Sequence, residues 1–406
     1  MRNASIKAAF GAATIAFLSG CAYGGPPITS ANAQGSQSNR AISAASVSQV
    51  MDRVAEWQFA QFNRETKMFN ADASADGHPQ GWVPAVLYVG LVAHARATGD
   101  EKDWARLLDH ANLHEWRLAP RTYNADDYAI GQLYLDLAEH YRKPEYALTI
   151  RSRLDYILAN PSKVDLKFIK DDNVDDDMDG RPLPLIECRD RWCWCDALFM
   201  APPVWMQFTE MFKDPRYAQF ADKEWWAATK YLYDPEEKLY FRDSRFFDQR
   251  TPSGKEVFWG RGNGWTSAGL ARTIDQLPAG IDRAPYEELF RDHAGRLAEL
   301  QNNDGYWNSS LLDRETVENP ETSGTALIVY ALAWGVNNGL LDRAKTEPVI
   351  DRGWRALVRA VHPDGKLGYV QQVAAAPGKA RYEETQAYGV GGFLMAGEQV
   401  MKLKAR

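Results

Sequence analysis

The chain has 406 residues, 45% of them hydrophobic and 25% charged, the balance of a globular protein with a large core. A net charge of −7 with no basic stripe gives no reason to expect nucleic acid as a partner. Aromatic residues are abundant, with 14 Trp and 18 Tyr, and flat apolar rings suit the faces of sugars as well as the interiors of proteins.

In chain order, Arg2 and Lys7 precede an apolar stretch from Ala8 to Phe17 and then Leu18-Ser19-Gly20-Cys21. A charged start, a short apolar region and a small-residue cleavage site form an export signal over residues 1–20, too short to span a bilayer. The segment resembles a bacterial lipobox, which implies cleavage before Cys21 and lipidation of its thiol. An ordinary secretory signal that contains a cysteine is the plainer alternative. Residues 21–45 are rich in Gly, Ser, Ala and Asn and read as a flexible tether. The mature domain, 46–406, is therefore expected in a bacterial cell envelope, anchored by lipid to a membrane and facing the periplasm or the outer surface.

From residue 46 the apolar spacing is helical almost throughout. It predicts helices over 47–64, 81–97, 100–116, 127–142, 144–159, 195–212, 215–232, 264–277, 283–301, 322–337, 345–361 and 385–403. Asp126 is placed to cap the helix opening at Asp127, and Thr322 and Ser323 stand at another cap position. Links before even-numbered helices are long and links after them are short. Long connections without structure of their own are usually functional. The simplest all-α architecture is six helical hairpins closed into an (α/α)6 barrel, with the even helices inside and the long loops gathered at one mouth. An open solenoid of hairpins is the competing arrangement.

The unusual residues fall at the starts of even helices. Trp82, Asp126 and Asp127, Asp196, the stretch Trp259 to Trp265, Thr322 and Ser323 would thus meet at the mouth. Asp196 lies among Trp192, Trp194, Cys195, Leu198, Phe199 and Met200, a setting that would raise a carboxyl pKa, against the pull of a helix N-terminus. One of Asp126 and Asp127 is expected to be a structural cap. The stretch Trp259-Gly-Arg261-Gly-Asn-Gly-Trp265 reads as backbone passing close to a ligand, with Arg261 gripping a carboxylate, or as a plain Gly-rich turn. Cys188 can pair with Cys193 or with Cys195, leaving one thiol over. Too few ligands are present there for zinc. Asp175, Asp177 and Asp179 open like a calcium loop, but Pro182 interrupts it and Ile186 stands at the twelfth position, so a solvated loop competes with calcium.

Together the blocks "ADDYAIGQLYLDL", "WCDALFMAPP", "FWGRGNGWTSAGL", "DGYWNSSLLD", "ETSGTALIVYALAWGVNNGLLD" and "YGVGGFLMA" resemble glycoside hydrolase family 105, the unsaturated rhamnogalacturonyl and glucuronyl hydrolases related to family 88. The resemblance covers roughly residues 50–400. It implies an (α/α)6 barrel that removes a 4,5-unsaturated uronic acid from the non-reducing end of lyase-generated oligosaccharides by hydrating the enol ether, with no metal or organic cofactor. Asp196 would match the principal acid/base. The second aspartate falls on Asp126 or Asp127, with Asp126 preferred because Gly131 follows at the expected distance. Trp82, Trp194, Trp259, Arg261 and Trp265 would bind substrate, with Thr322 or Ser323 as polar contacts. Where many members carry a His, this chain has Arg242, Asp243 and Arg245, which suggests an anionic group beyond the uronate. Two other functions fit the same barrel: a polysaccharide lyase using Tyr128 as base, and a lipid-anchored glycan-binding protein.

Overall fold

Hydrophobicity separates the helices into two kinds. The computed structural model describes residues 41–69, 78–168, 188–315, 317 and 320–405, and its helical unit is Ile42–Arg406. Its helices are α1 (Ala44–Ala60), α2 (Trp82–Thr98), α3 (Glu101–Leu113), α4 (Gly131–His140), α5 (Leu148–Ala159), α6 (Ala197–Met200), α7 (Pro202–Phe212), α8 (Pro215–Leu232), α9 (Gly260–Asp275), α10 (Ala284–Glu299), α11 (Thr322–Asn337), α12 (Arg343–Arg359) and α13 (Ala387–Lys404). Every residue of α2 from Val83 to Ala95 and of α11 from Thr322 to Val336 is buried. Helices apolar on all sides belong in a core. By contrast, α3 buries a stripe of Asp103, Trp104, Leu107, His110 and Ala111, as an outer helix should.

Neighbour relations close the ring. Inside, α2 packs on α4, α4 on α7, α6 and α7 on α9, α9 on α11, α11 on α13, and α13 returns to α2. Outside, α1 covers α13 and α2, α3 covers α2 and α4, α10 covers α9 and α11, and α12 covers α11 and α13. The return of α13 to α2 makes this the closed (α/α)6 barrel and excludes the solenoid. Small residues let those helices approach: a Cβ on Gly391 would stand 2.3 Å from the Val86 carbonyl oxygen, and one on Gly90 would stand 2.4 Å from that of Gly391.

Several predicted boundaries move, each for a local reason. The sixth helix is two, because Pro202 and Pro203 lack the N–H groups to continue α6. The fourth does not open at Asp127: Asn124 caps a 3₁₀ turn over Ala125–Tyr128, and α4 begins at Gly131. The cap of α11 is Glu321, whose carboxylate accepts from the backbone N–H of Ser323 and Gly324, so Thr322 and Ser323 lie inside the helix. The first helix stops at Ala60, where a hairpin begins: β1 (Phe62–Asn63) pairs with β2 (Met68–Phe69). A second hairpin, β3 (Tyr233–Asp234) with β4 (Leu239–Tyr240), follows α8. In each, an Asn or Asp side chain accepts backbone N–H groups two and three residues on, and a Lys takes positive φ, 59° at Lys67 and 56° at Lys238. Cys21 and the acidic stretch Asp175 to Asp179 lie outside the described residues. Among those described, no helix is long and apolar enough to cross a membrane.

If the α2–α13 seam closes the barrel, Gly391→Ala should cost about 1–3 kcal/mol by overpacking. Gly295→Ala, whose Cβ on α10 meets nothing within 4 Å, should be neutral or stabilise by about 0.4–1 kcal/mol. Denaturant unfolding of the two variants beside the parent checks the pair. Equal midpoints would show that the seam tolerates a methyl group.

Candidate active site at the barrel mouth

The starts of the inner helices converge. Trp82 at the head of α2 stacks obliquely on Tyr388 of α13 with ring centroids 5.0 Å apart, and meets Trp265 of α9 edge-on at 6.2 Å. The turn carrying Asp126 and Asp127 packs against α6, which Asp196 opens. Five sequence-distant segments thus share one mouth.

Asp196 sits at the N-cap position of α6 but makes no capping hydrogen bond. A structural cap therefore does not explain it. Its side chain keeps 13% exposure, and its Oδ2 lies 3.5 Å from Arg242 Nε and 3.6 Å from Cys195 Sγ. Burial raises its pKa, and the guanidiniums of Arg242 and Arg261 oppose that shift without cancelling it. The result is a buried carboxyl group with an unusual hold on its proton at the barrel mouth, the signature of a candidate general acid.

The cysteines form the wall of this site. Cys188 and Cys193 are disulfide-bonded across a separation of five residues, and Cys195 is a buried free thiol. Burial, reinforced by the charge of Asp196, raises the Cys195 pKa well above normal. A Cβ on Gly262 would lie 3.0 Å from Cys195 Sγ. The glycines of the Trp259–Trp265 stretch belong to the first turns of α9, not to a loop, and they make room for protein. Gly260 faces the Asn308 carbonyl in the same way. The expectation of a backbone approaching a ligand there is corrected by these contacts.

Arg261 also turns its guanidinium into the protein. It is 1% exposed and donates to the carbonyls of Gln371, Gln372 and Ala374 and, at 2.6 Å, to the Tyr388 hydroxyl, with its guanidinium over the Trp259 ring. These bonds staple α9 to α13 and the 371–374 segment, and Arg261 Nε stays buried without a hydrogen-bond partner. Gln371, which no sequence pattern marks, accepts from Trp259 Nε1 at 3.1 Å through its side chain and donates its backbone N–H to Glu321 at 3.3 Å. Trp194, Trp259 and Trp265 are buried to 3% exposure or less, so they brace the mouth, whereas Trp82 is half-buried and retains a ring surface. The Thr322 and Ser323 hydroxyls donate to the Gly368 carbonyl and to Glu321.

Arg242 is the cation that remains beside the acid. Its backbone carbonyl accepts from Cys195 N at 2.8 Å, and Asn263 of α9 brackets Tyr240 just before it, bonding both its N–H and its carbonyl. Arg242 Nη1 donates to Asp243 at 2.6 Å, and its Nε is buried with no hydrogen-bond partner. Burial lowers its pKa, but Asp196 and Asp243 more than restore it, so it stays charged. The two aspartates of the neighbouring turn divide: Asp127 is 1% exposed and takes Arg121 Nε at 2.8 Å, while Asp126 is half-buried. Tyr128, the conceivable lyase base, is 1% exposed, accepts from Trp192 Nε1, and has its pKa pushed up to about 12 by burial. Such a phenol stays protonated at neutral pH. A surface cavity of about 470 Å³ between residues 117–122 and α5, lined by Arg117, Arg153 and Tyr156 among others, contains none of the mouth residues.

Residues 50–404 match the profile of Glycosyl Hydrolase Family 88. The chain is 39% identical over 354 residues to an unsaturated 3S-rhamnoglycuronyl hydrolase of Alteromonas sp. (strain LOR), covering 86% of this chain and 84% of that one. Among solved structures it is similar to a glycosyl hydrolase family 88 protein from Bacteroides vulgatus, with 27% identity, a TM-score of 0.74, and coverage of 89% of this chain and 99% of that one. It is also similar to a protein described as a polysaccharide lyase, with 28% identity, a TM-score of 0.74, and coverage of 89% and 98%. The kinship expected from the motifs is confirmed by a match that runs from within α1 to the end of α13, and this chain belongs to glycosyl hydrolase family 88.

Proposed function

We propose that the protein removes a 4,5-unsaturated uronic acid from the non-reducing end of an oligosaccharide and that the sugar it releases is a 3-sulfated rhamnose. The observation that carries the hydrolase reading is Asp196: a carboxyl group that caps nothing, holds its proton more tightly than usual, and lies 3.5 Å from a charged guanidinium. The sulfated sugar is suggested by the name of the 39% identical relative.

In this reading the substrate's carboxylate lies on Arg242. Asp196 gives its proton to C4, the C4=C5 electron pair forms the new C–H bond, and positive charge develops at C5, shared with the ring oxygen. Water adds to C5 and returns a proton to Asp196. The hemiketal then opens to a ketone, and the new hemiacetal at C1 expels the rest of the chain. Asp126, the partly exposed member of its pair, steers the water, and Trp82 offers a ring to the sugar face. A bound uronate also places a second negative charge near Asp196 and so strengthens its hold on the proton when it is needed.

A lyase is the second reading, favoured by the similarity to a protein so described. It lacks a ready base at Tyr128, whose pKa of about 12 keeps it neutral. The export signal supports an enzyme anchored in the cell envelope through Cys21, and the Cys188–Cys193 disulfide suits an oxidising compartment.

On lyase-generated oligosaccharides the ultraviolet absorbance of the C4=C5 bond should fall with the parent enzyme, and Asp196→Asn should slow this by roughly 10²–10⁴-fold. A rise on intact polymer would select the lyase; a flat trace on sulfated and unsulfated panels, a glycan-binding protein. Activity should be lost as pH rises through the raised Asp196 pKa, with the limb for kcat above that for kcat/KM because bound substrate adds negative charge. Coincident limbs would argue against the uronate lying beside Asp196. The same raised pKa means that the folded state binds this proton more tightly than the unfolded one. Its stabilisation is therefore full below the unfolded pKa and lost as pH rises through the folded value. Asp196→Asn should then melt above the parent at neutral pH and converge with it in acid. Finally, Cys21→Ser should move the protein from the membrane to the soluble fraction of expressing bacteria, and unchanged membrane recovery would remove the lipid anchor.

A further inference from the structure

Beside the acid, two arginines share one carboxylate. Asp243 has no solvent exposure; it accepts from Arg242 Nη1 at 2.6 Å and from the backbone N, Nε and Nη2 of Arg245 at 2.9 Å each. Burial pushes the Asp243 pKa up, but Arg245 and Arg242 hold it below normal, so it is ionised. Among the described residues, one ionised carboxylate between two guanidiniums leaves the pair cationic. Nor are their donors exhausted. Arg242 Nε is buried without a hydrogen-bond partner, and Arg245 Nη1 makes no hydrogen bond among the described residues. Donors arranged around a net positive charge and lacking acceptors form a place for anionic oxygens.

The two guanidiniums are ordered with respect to the acid. Arg242 is the inner one, 17% exposed and 3.5 Å from Asp196. Arg245 bonds to the same Asp243 oxygen from the outer side and is 27% exposed. The Phe168 ring lies against its face, with Cζ 3.7 Å from the ring centroid. Arg242 and Arg189 also approach that ring, at 6.0 and 5.9 Å. Stacking covers one face of the Arg245 guanidinium and leaves an in-plane edge, the geometry that takes two oxygens of one anion.

We propose that Arg245, held flat by Asp243 and Phe168, binds the sulfate of the sugar next to the unsaturated uronate, an inference that rests on the hydrolase reading above. The substrate carries its anions in the same order as the protein carries its cations. The uronate carboxylate is attached to C5, where water adds, and so belongs with Arg242 beside Asp196. A sulfate on the leaving sugar lies further out and meets Arg245. A neutral leaving sugar would give that guanidinium edge no charged partner.

The test compares kcat/KM for an unsaturated uronyl-rhamnose disaccharide with and without its 3-sulfate, using the parent enzyme, Arg245→Ala, Arg245→Lys and Phe168→Ala. The parent should prefer the sulfated substrate by roughly 10–100-fold, the range expected of a charged hydrogen-bonded contact. Arg245→Ala should bring the ratio near unity through KM, and Arg245→Lys and Phe168→Ala should fall between. Loosening Asp243 slows both substrates together and cancels in the ratio, so bracing alone cannot mimic the result. Should Arg245→Ala fail to fold, the other two variants decide by the same ratio. A ratio unchanged within about twofold, or a parent that prefers the unsulfated disaccharide, overturns the sulfate site and leaves the hydrolase standing. No turnover of either disaccharide sinks both.

Discussion

A carboxyl group that burial makes reluctant to ionise lies 3.5 Å from a guanidinium that favours its ionisation, and the mouth is organised around that conflict. Desolvation wins: the pKa of Asp196 is raised although Arg242 and Arg261 both pull it down. One feature weakens the opposing pull. Asp243 takes the short hydrogen bond of Arg242, so the guanidinium approaches Asp196 without bonding to it. Cys195 works the other way, since its hydrogen bond favours the charged form of Asp196, and burial outweighs it as well.

The barrel supplies this arrangement by gathering the starts of inner helices at one mouth. Helix N-termini favour negative charge, which would work against a protonated acid. Here the opposing field is small, since α6 runs only from Ala197 to Met200 and Asp196 takes none of its N–H groups. The strong N-terminal charge interaction of the mouth is placed elsewhere, at Glu321, which caps α11 and also receives Gln371 N. Arg261 then fastens the 371–374 segment by its carbonyls. Rigidity and acidity are thus assigned to different residues.

Much of this was legible in the chain. The two periodicities separate inner from outer helices, since α2 and α11 are apolar all round while α3 carries one stripe. Alternating loop lengths assign a common end to Trp82, Asp126, Asp196 and Trp265. The apolar neighbours of Asp196 announce the direction of its pKa shift. The hairpins at Asn63 and Asp234 were missed although each follows a readable rule, an Asx turn closed by a lysine at positive φ. The start of α9 was placed too late because three glycines look like a loop until the neighbours that need their space are known.

By itself the sequence determined the helical class, the number of helical hairpins, the common end at which the inner helices start and the direction of the Asp196 pKa shift. All of these depend on periodicity and on near neighbours in the chain. Tertiary structure alone decided which acceptors each arginine meets. Arg261 finds carbonyls 110 or more residues away, whereas Arg242 finds Asp243 next to it and Asp196 across the mouth. The same side chain becomes a staple between segments or the neighbour of a buried carboxyl group according to which acceptors the fold brings within reach, and no local pattern encodes that distance.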